Sequence, residues 1–175
     1  EAVHKTGLKS DQGSIFCIGF KFADEPAQVH YMDGLTTEAE VIEAFFASIK
    51  DYADINGIHW QRIKLCGHNI NSFDIRFIVH RAWINEVHVP SWFPYNEAPY
   101  TTKVFDTMYQ WCGLRDMISL DRLCKAFGIE GKNGFDGSMV ADAYAAGEYK
   151  KIADYCIDDV EKTYAVAQRM GAYAP

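Results

Sequence analysis

Short β-type runs come early in this chain and long helical stripes come late, and that order constrains the fold most. Ser14-Ile15-Phe16-Cys17-Ile18-Gly19-Phe20-Lys21-Phe22 reads as a strand opened by Gly13. Gln28 to Met32 reads as its hairpin partner across the turn-like Ala23-Asp24-Glu25-Pro26. Thr37 with Glu40 three residues on is a capping-box signal. Val41, Ile42, Phe45, Phe46 and Ile49 then form one apolar stripe at helical spacing. Ile63 to Cys66 is a short buried strand ended by Gly67, and residues 73–85 return to helical spacing with Phe73, Phe77, Ile78 and Trp83 inward.

The later chain is mostly helical. Residues 88–103 read as an aromatic, proline-rich loop, packed on the body by preference, with a flexible lid as the alternative. Thr102 to Trp111 starts extended and becomes helical; Ser119 opens a helix closed by Gly128, and Ser138 opens another that stops near Gly147. The last helix runs from about Glu148 to Met170, with Ile152, Cys156, Val160, Tyr164 and Ala167 as its core stripe. A mixed sheet flanked by helices, an α/β domain, follows from this order. At 175 residues the chain suits one domain, 1–175.

Composition narrows the function classes. A net charge of −7 argues against a passive basic nucleic-acid binder, but not against an enzyme whose own site is acidic. No apolar run approaches a membrane span, and the first residues, Glu1 to Lys5, do not read as a signal peptide. Five cysteines without C-x-x-C spacing argue against a disulfide framework or a zinc site, and point to a reducing, cytoplasmic setting.

Two acidic segments carry the chemistry. The first is Gly67-His68-Asn69-Ile70-Asn71-Ser72-Phe73-Asp74, between a strand and a helix. An acid at such a junction points into the crevice where α/β folds bind ligands. Taken alone, Asp74 reads better as a helix cap or a first-turn acid favoured by the helix dipole. The second is Tyr155-Cys156-Ile157-Asp158-Asp159-Val160. Tyr155 and Asp159 are four apart and share a helix face; taken alone, this is also a solvated acidic face. Together, aspartates from distant elements in one crevice make a hard-oxygen site for Mg²⁺ or Mn²⁺. A pair of such ions activates water and stabilises the leaving oxygen of a phosphodiester.

These residues carry a family resemblance. GHNINSFD at 67–74 resembles the second motif of DEDD-superfamily 3′–5′ exonucleases, and YCIDDV at 155–160 resembles their third motif in its tyrosine form. The stretch from Asp106 through Ser119-Leu120-Asp121 and Gly131-Lys132 to Asp136-Gly137-Ser138 resembles the linking region of one branch. That branch comprises predicted exonucleases similar to the proofreading domain of family-B DNA polymerases. The strand ending Cys17-Ile18-Gly19 is similar to the second strand of their fold, so the resemblance covers nearly the whole chain.

The resemblance implies a ribonuclease H-like fold and two divalent ions, Mg²⁺ or Mn²⁺, held by four acids. It implies removal of mononucleotides from the 3′ end of single-stranded nucleic acid, DNA favoured. By the same likeness, Asp74 and Asp159 are metal ligands and Tyr155 orients the attacking water. Asn69 and Phe73 are substrate contacts or supports of the site, and Asp158 matches no required ligand. Replication or repair proteins are the partner class implied, and no membrane is.

The first motif, Asp-x-Glu, does not occur in residues 1–20. Glu1 precedes Gly19 by eighteen residues, a span that suits the family's glutamate, with the aspartate and first strand lying before it. Loss of a central strand would leave apolar sheet edges open. If the motif is truly absent, a non-catalytic nucleic-acid binder is the alternative; an RNA-trimming exonuclease is the other.

Substrate contacts are sketched by charge. Positive residues gather in 59–81, including Arg62, Lys64, Arg76 and Arg81, while 136–161 holds seven acids against two lysines. Lys132 sits in a turn where it is a candidate phosphate contact or a solvated lysine. The aromatics at 92–100 suit either base stacking or packing.

Overall fold

A capping box starts the first long helix. In the computed structural model, which describes residues 8–131 and 134–172, Glu40 N–H donates to Thr37 Oγ1 at 3.3 Å and Thr37 N–H to Glu40 Oε2 at 2.7 Å. The helix that follows, α1 (Glu38–Ile55), buries Val41, Ile42, Phe45, Phe46 and Ile49, the stripe expected from spacing.

The hairpin ahead of it pairs β1 (Cys17–Phe20) with β2 (Gln28–Tyr31) antiparallel, Cys17 opposite Tyr31 and Phe20 opposite Gln28. The strand is shorter than the apolar run 14–22 predicts. Ile15 N–H is diverted to Glu38 Oε1 at 2.6 Å, so the chain leaves the ladder before Cys17.

A second ribbon is parallel. β3 (Leu65–Gly67) pairs with β4 (Val104–Asp106), Gly67 opposite Asp106. Between them runs α2 (Asp74–Ile84). After β4 come α3 (Thr107–Cys112), α4 (Leu120–Ala126), α5 (Val140–Ala145) and α6 (Tyr149–Arg169). Both strand senses occur, as expected of a mixed α/β fold. Among the described residues, however, the strands form two separate ribbons rather than the single mixed sheet. Apolar runs reveal strands but not which strands pair.

The ribbons are covered on both sides. Ile18 and Phe20 of β1 and Val104 of β4 join Phe45 and Phe46 of α1 and Ile75 and Val79 of α2 in one core. Helix α6 packs against β1, β2 and β3. A smaller core of Leu123, Cys124 and Val166 ties α4 to α6. The 88–103 loop is packed as expected around Phe93, which meets Phe46 edge-on at 5.1 Å.

One inward assignment on α2 fails. Trp83 is 55% exposed, whereas Arg81 is buried. Arg81 donates to Glu38 from Nε at 2.8 Å and from Nη2 at 2.6 Å. This ion pair rotates α2 so that Ile75, Val79 and Ala82 face the core. Arg81 is therefore structural, and the basic stretch 59–81 keeps Arg62, Lys64 and Arg76 as its exposed cations. On α6, Cys156, Val160 and Tyr164 are only half-buried, and Lys162 occupies a buried position. No described helix is long and apolar enough to cross a membrane. Glu1, with the expected first motif, and Lys132 lie outside the described residues.

Candidate active site

The turn from β3 into α2 is built to fold back on itself. A Cβ at Gly67 would lie 2.6 Å from Ile70 Cβ, so only glycine lets the loop cross the strand end. Asn69 takes the left-handed conformation at φ 56°, which asparagine tolerates better than most residues. Asp106, at the end of the neighbouring strand, fixes this turn. Its Oδ1 accepts the Asn69 N–H at 2.9 Å and its Oδ2 the Asn71 N–H at 3.1 Å. It also caps α3, accepting the Met108 N–H at 3.0 Å. Asp106 was legible only as part of the linking region; an aspartate directly after a strand is an N-cap signal that marks it.

His68 is held beside this clamp. Its Nε2 donates to the Ile118 carbonyl at 2.8 Å and its Nδ1 faces Thr107 Oγ1 at 2.9 Å. Burial lowers its pKa, against the charges of Asp106 and Asp159 and the Ile118 carbonyl, so the neutral ring is favoured.

Asp74 is the first residue of α2, and Phe73 before it makes no side-chain cap. The Phe73 ring lies against Phe77 at 5.4 Å. The Asp74 side chain is exposed by accessible surface, although many protein atoms lie around its carboxyl group. This desolvation, with the charge of Asp106 added, pushes its pKa up to about 7, although its own N–H opposes the shift. An acid placed only to satisfy the helix dipole would shift downward. The environment of Asp74 instead disfavours its anion until a cation approaches.

On α6 the acids sort into two kinds. Asp154 pairs with Lys150 at 2.6 Å, Glu161 with Lys21 at 2.9 Å, and Asp158 with Lys162. Asp159 turns the other way: Tyr155 donates a hydrogen bond to it, as their shared face predicts. Its Oδ1 is shut off from solvent. Burial, the charge of Asp159 and this hydrogen bond all push the Tyr155 phenol upward, so it stays protonated at neutral pH. Phe135 leans on the Tyr155 ring at 5.1 Å and also lines an open cleft of about 400 Å³ with Ser119, Asp121, Lys125 and Asp136. The linking region thus borders Tyr155.

The two acidic segments converge. The charges of Asp74 and Asp159 both act on the Cys156 thiol, and Asp106 acts on Asp74 and His68 alike. Carboxylate oxygens of this kind fit a hard divalent cation. Among the described residues, no group of three or more metal-ligating side chains is assembled. Asp74, Asp106 and Asp159 all act electrostatically on neighbours in this region, Asp106 being engaged by the Asn69, Asn71 and Met108 N–H groups.

The family model for predicted 3′–5′ exonucleases related to the exonuclease domain of PolB matches residues 13–174. The chain belongs to this family. The match spans β1 through α6 and so includes Asp74, Asp106, Tyr155 and Asp159. No individually curated protein matches the chain. Membership agrees with the mixed α/β architecture and makes the chain a predicted 3′–5′ exonuclease.

Proposed function

We propose that this exonuclease is metal-dependent and removes mononucleotides from the 3′ end of single-stranded DNA. The observation that carries the reading is the convergence of Asp74 and Asp159 on Cys156, from elements far apart in sequence. On this reading Asp74 and Asp159 hold Mg²⁺ or Mn²⁺, and Glu1 is a further candidate ligand. Two bound ions would supply an activated water and neutralise charge at the scissile phosphate.

The protein's own groups have separate tasks. Asp74, whose pKa is pushed up to about 7, would hold the cation as its carboxylate, the ion's charge stabilising the anion that the surroundings otherwise disfavour. Tyr155 keeps its proton, so it donates to Asp159 and its oxygen would orient the attacking water by accepting a hydrogen bond from it, rather than acting as a base. Asp106 holds the Asn69–Asn71 backbone and so fixes where Asp74 begins its helix. Asn69 and Phe73 would border the substrate, and Lys132 is a candidate phosphate contact. Preference for DNA follows from the family's relation to a DNA polymerase domain. A reducing, cytoplasmic setting suits the five unbridged thiols.

The test uses a 5′-labelled single-stranded DNA and an RNA of the same sequence, with Mg²⁺ or Mn²⁺ and with chelator. The expected result is a ladder of DNA products shortened from the 3′ end, lost on chelation and weaker for RNA. Equal or faster RNA trimming would move the substrate class. Binding without cleavage, at any divalent concentration, would favour the non-catalytic binder.

A further inference from the structure

We propose that a cleft at the entry end of the parallel ribbon is an accessory stacking site, which holds an unpaired base of single-stranded DNA upstream of its 3′ end. Trp60, Gln61, Ile63, Trp92 and Lys103 line this open cavity of about 330 Å³, a size in the range of small-ligand pockets. Ile63 and Lys103 lie just ahead of β3 and β4, where the Leu65 N–H donates to the Lys103 carbonyl at 2.9 Å. The ribbon therefore fixes two sides of the cleft.

Both indoles are held in place by the fold. Trp60 opens a tight 3₁₀ turn, Trp60–Arg62. The Arg62 N–H donates to the His59 carbonyl at 2.8 Å and the Ile63 N–H to the Trp60 carbonyl at 3.2 Å. Trp60 is nonetheless 49% exposed, and its ring meets that of His59 at 5.4 Å. Trp92 is half-buried and stands edge-on to Phe46 at 6.3 Å and to Phe93 at 6.0 Å, so the core sets its position. Two fixed aromatics on one cavity offer apolar, planar surface that suits a flat heterocycle.

Charge selects the class of heterocycle. The chain carries a net charge of −7, yet no acid occurs between Asp54 and Asp74, and that stretch holds the exposed Arg62 and Lys64. Lys103 adds a third cation. It pairs with Glu97 at 3.1 Å but stays half-exposed, and a surface pair of this kind is weak enough to exchange for a phosphate. A cationic patch on an acidic protein favours an aromatic ligand that carries phosphate over a neutral one. Aromatic faces beside cations are what hold single strands without reading their sequence.

The cleft is separate from the candidate active site. Gly67 and Asp106 lie at the opposite ends of β3 and β4. At about 3.3 Å per residue, Ile63 and Gly67 are roughly 13 Å apart along the ribbon. That equals the rise of about four stacked nucleotides. A strand whose 3′ end reaches Asp74 and Asp159 needs about that length to meet the indoles. This placement of the strand rests on the exonuclease reading; the stacking itself does not.

The experiment follows the anisotropy of a 5′-labelled thymidylate dodecamer, with chelator so that no strand is cut. Trp60→Ala should raise its Kd about tenfold, equivalent to roughly 1.4 kcal/mol, and Trp60→Phe, which keeps a stacking face, should recover most of the loss. An abasic dodecamer should bind wild type and Trp60→Ala alike. Trp83→Ala, which removes a similarly exposed indole from α2, should bind as the wild type does. An unchanged Kd in Trp60→Ala, an equal loss on the abasic strand, or an equal loss in Trp83→Ala would overturn the proposal. Cleavage is then compared with Mg²⁺ present. For the dodecamer, Trp60→Ala should raise KM about tenfold and leave kcat unchanged, while a trimer too short to reach the cleft should show neither change. An unchanged dodecamer KM would overturn the placement of the strand. Binding that depends on Trp60 with no cleavage of any strand would count against the exonuclease reading and leave the stacking site standing.

Discussion

Asp106 Oδ1 accepts the Asn69 backbone N–H at 2.9 Å, joining the end of one strand to the turn after its neighbour. The same carboxylate holds Asn71 and caps α3. Replacing it leaves several N–H groups without partners around a buried position. Asp106→Ala should therefore cost about 2–4 kcal/mol, since hydrogen bonds to charged groups contribute roughly 1.5–3 kcal/mol each and compensate one another only partly. Urea denaturation measures this. Asp106→Asn should recover part of the loss, because its carbonyl oxygen still accepts.

Asp74→Ala and Asp159→Ala should each abolish divalent-dependent cleavage, a fall of at least about a hundredfold, equal to some 2.7 kcal/mol in the barrier. Circular dichroism should show the fold kept, since neither side chain belongs to the core. Wild-type cleavage by Asp159→Ala would refute the assignment. Tyr155→Phe should slow cleavage while leaving Mn²⁺ affinity, measured by calorimetry, close to wild type.

The buried pair of Glu38 and Arg81 gives a pH prediction. Burial pushes the Glu38 pKa up, but hydrogen bonds from Arg81, Ile15 N–H and Asn85, with the Arg81 charge, outweigh it and hold the carboxyl below its ordinary value. A depressed carboxyl pKa means the folded state binds fewer protons than the unfolded chain. The stabilisation is thus present above the unfolded value of about 4.3 and is lost as pH falls through the lower folded value. Denaturation midpoints should drop below about pH 4.3 in the wild type, and less steeply in Glu38→Gln. At neutral pH, Glu38→Ala should cost about 3–5 kcal/mol by stranding a buried guanidinium.

Gly19 marks the crossing of α6 over β1. A methyl there would lie 2.6 Å from Cys156 Sγ and 2.9 Å from Val160 Cγ2. Gly19→Ala should destabilise by about 1–3 kcal/mol through overpacking, read by thermal or urea unfolding. Gly57→Ala, where a Cβ meets nothing within 4 Å but φ is 62°, tests strain without crowding.

Local signals in the sequence determined much of this protein. The Thr37–Glu40 capping box, the α1 stripe, the Ser119 cap and the four-residue spacing of Tyr155 and Asp159 all act between neighbours in the chain. Each is present in the structure because such contacts need no distant partner. Motif order also carried the family, which the match over 13–174 bears out.

Tertiary structure decided the rest. From sequence Arg81 reads as one of the basic residues of 59–81, because nothing local marks its partner; Glu38 lies on another helix. The same pair turned Trp83 outward and ended the first strand through Ile15. Strand pairing into two ribbons was likewise invisible, since a run of apolar residues does not specify its neighbour. From sequence Asp74 reads as a first-turn acid; in the fold, surrounding protein atoms and the nearby charge of Asp106 raise its pKa to about 7. Burial and long-range pairing depend on residues that the chain brings together only by folding, so neighbours in sequence could name the acids but not their environment.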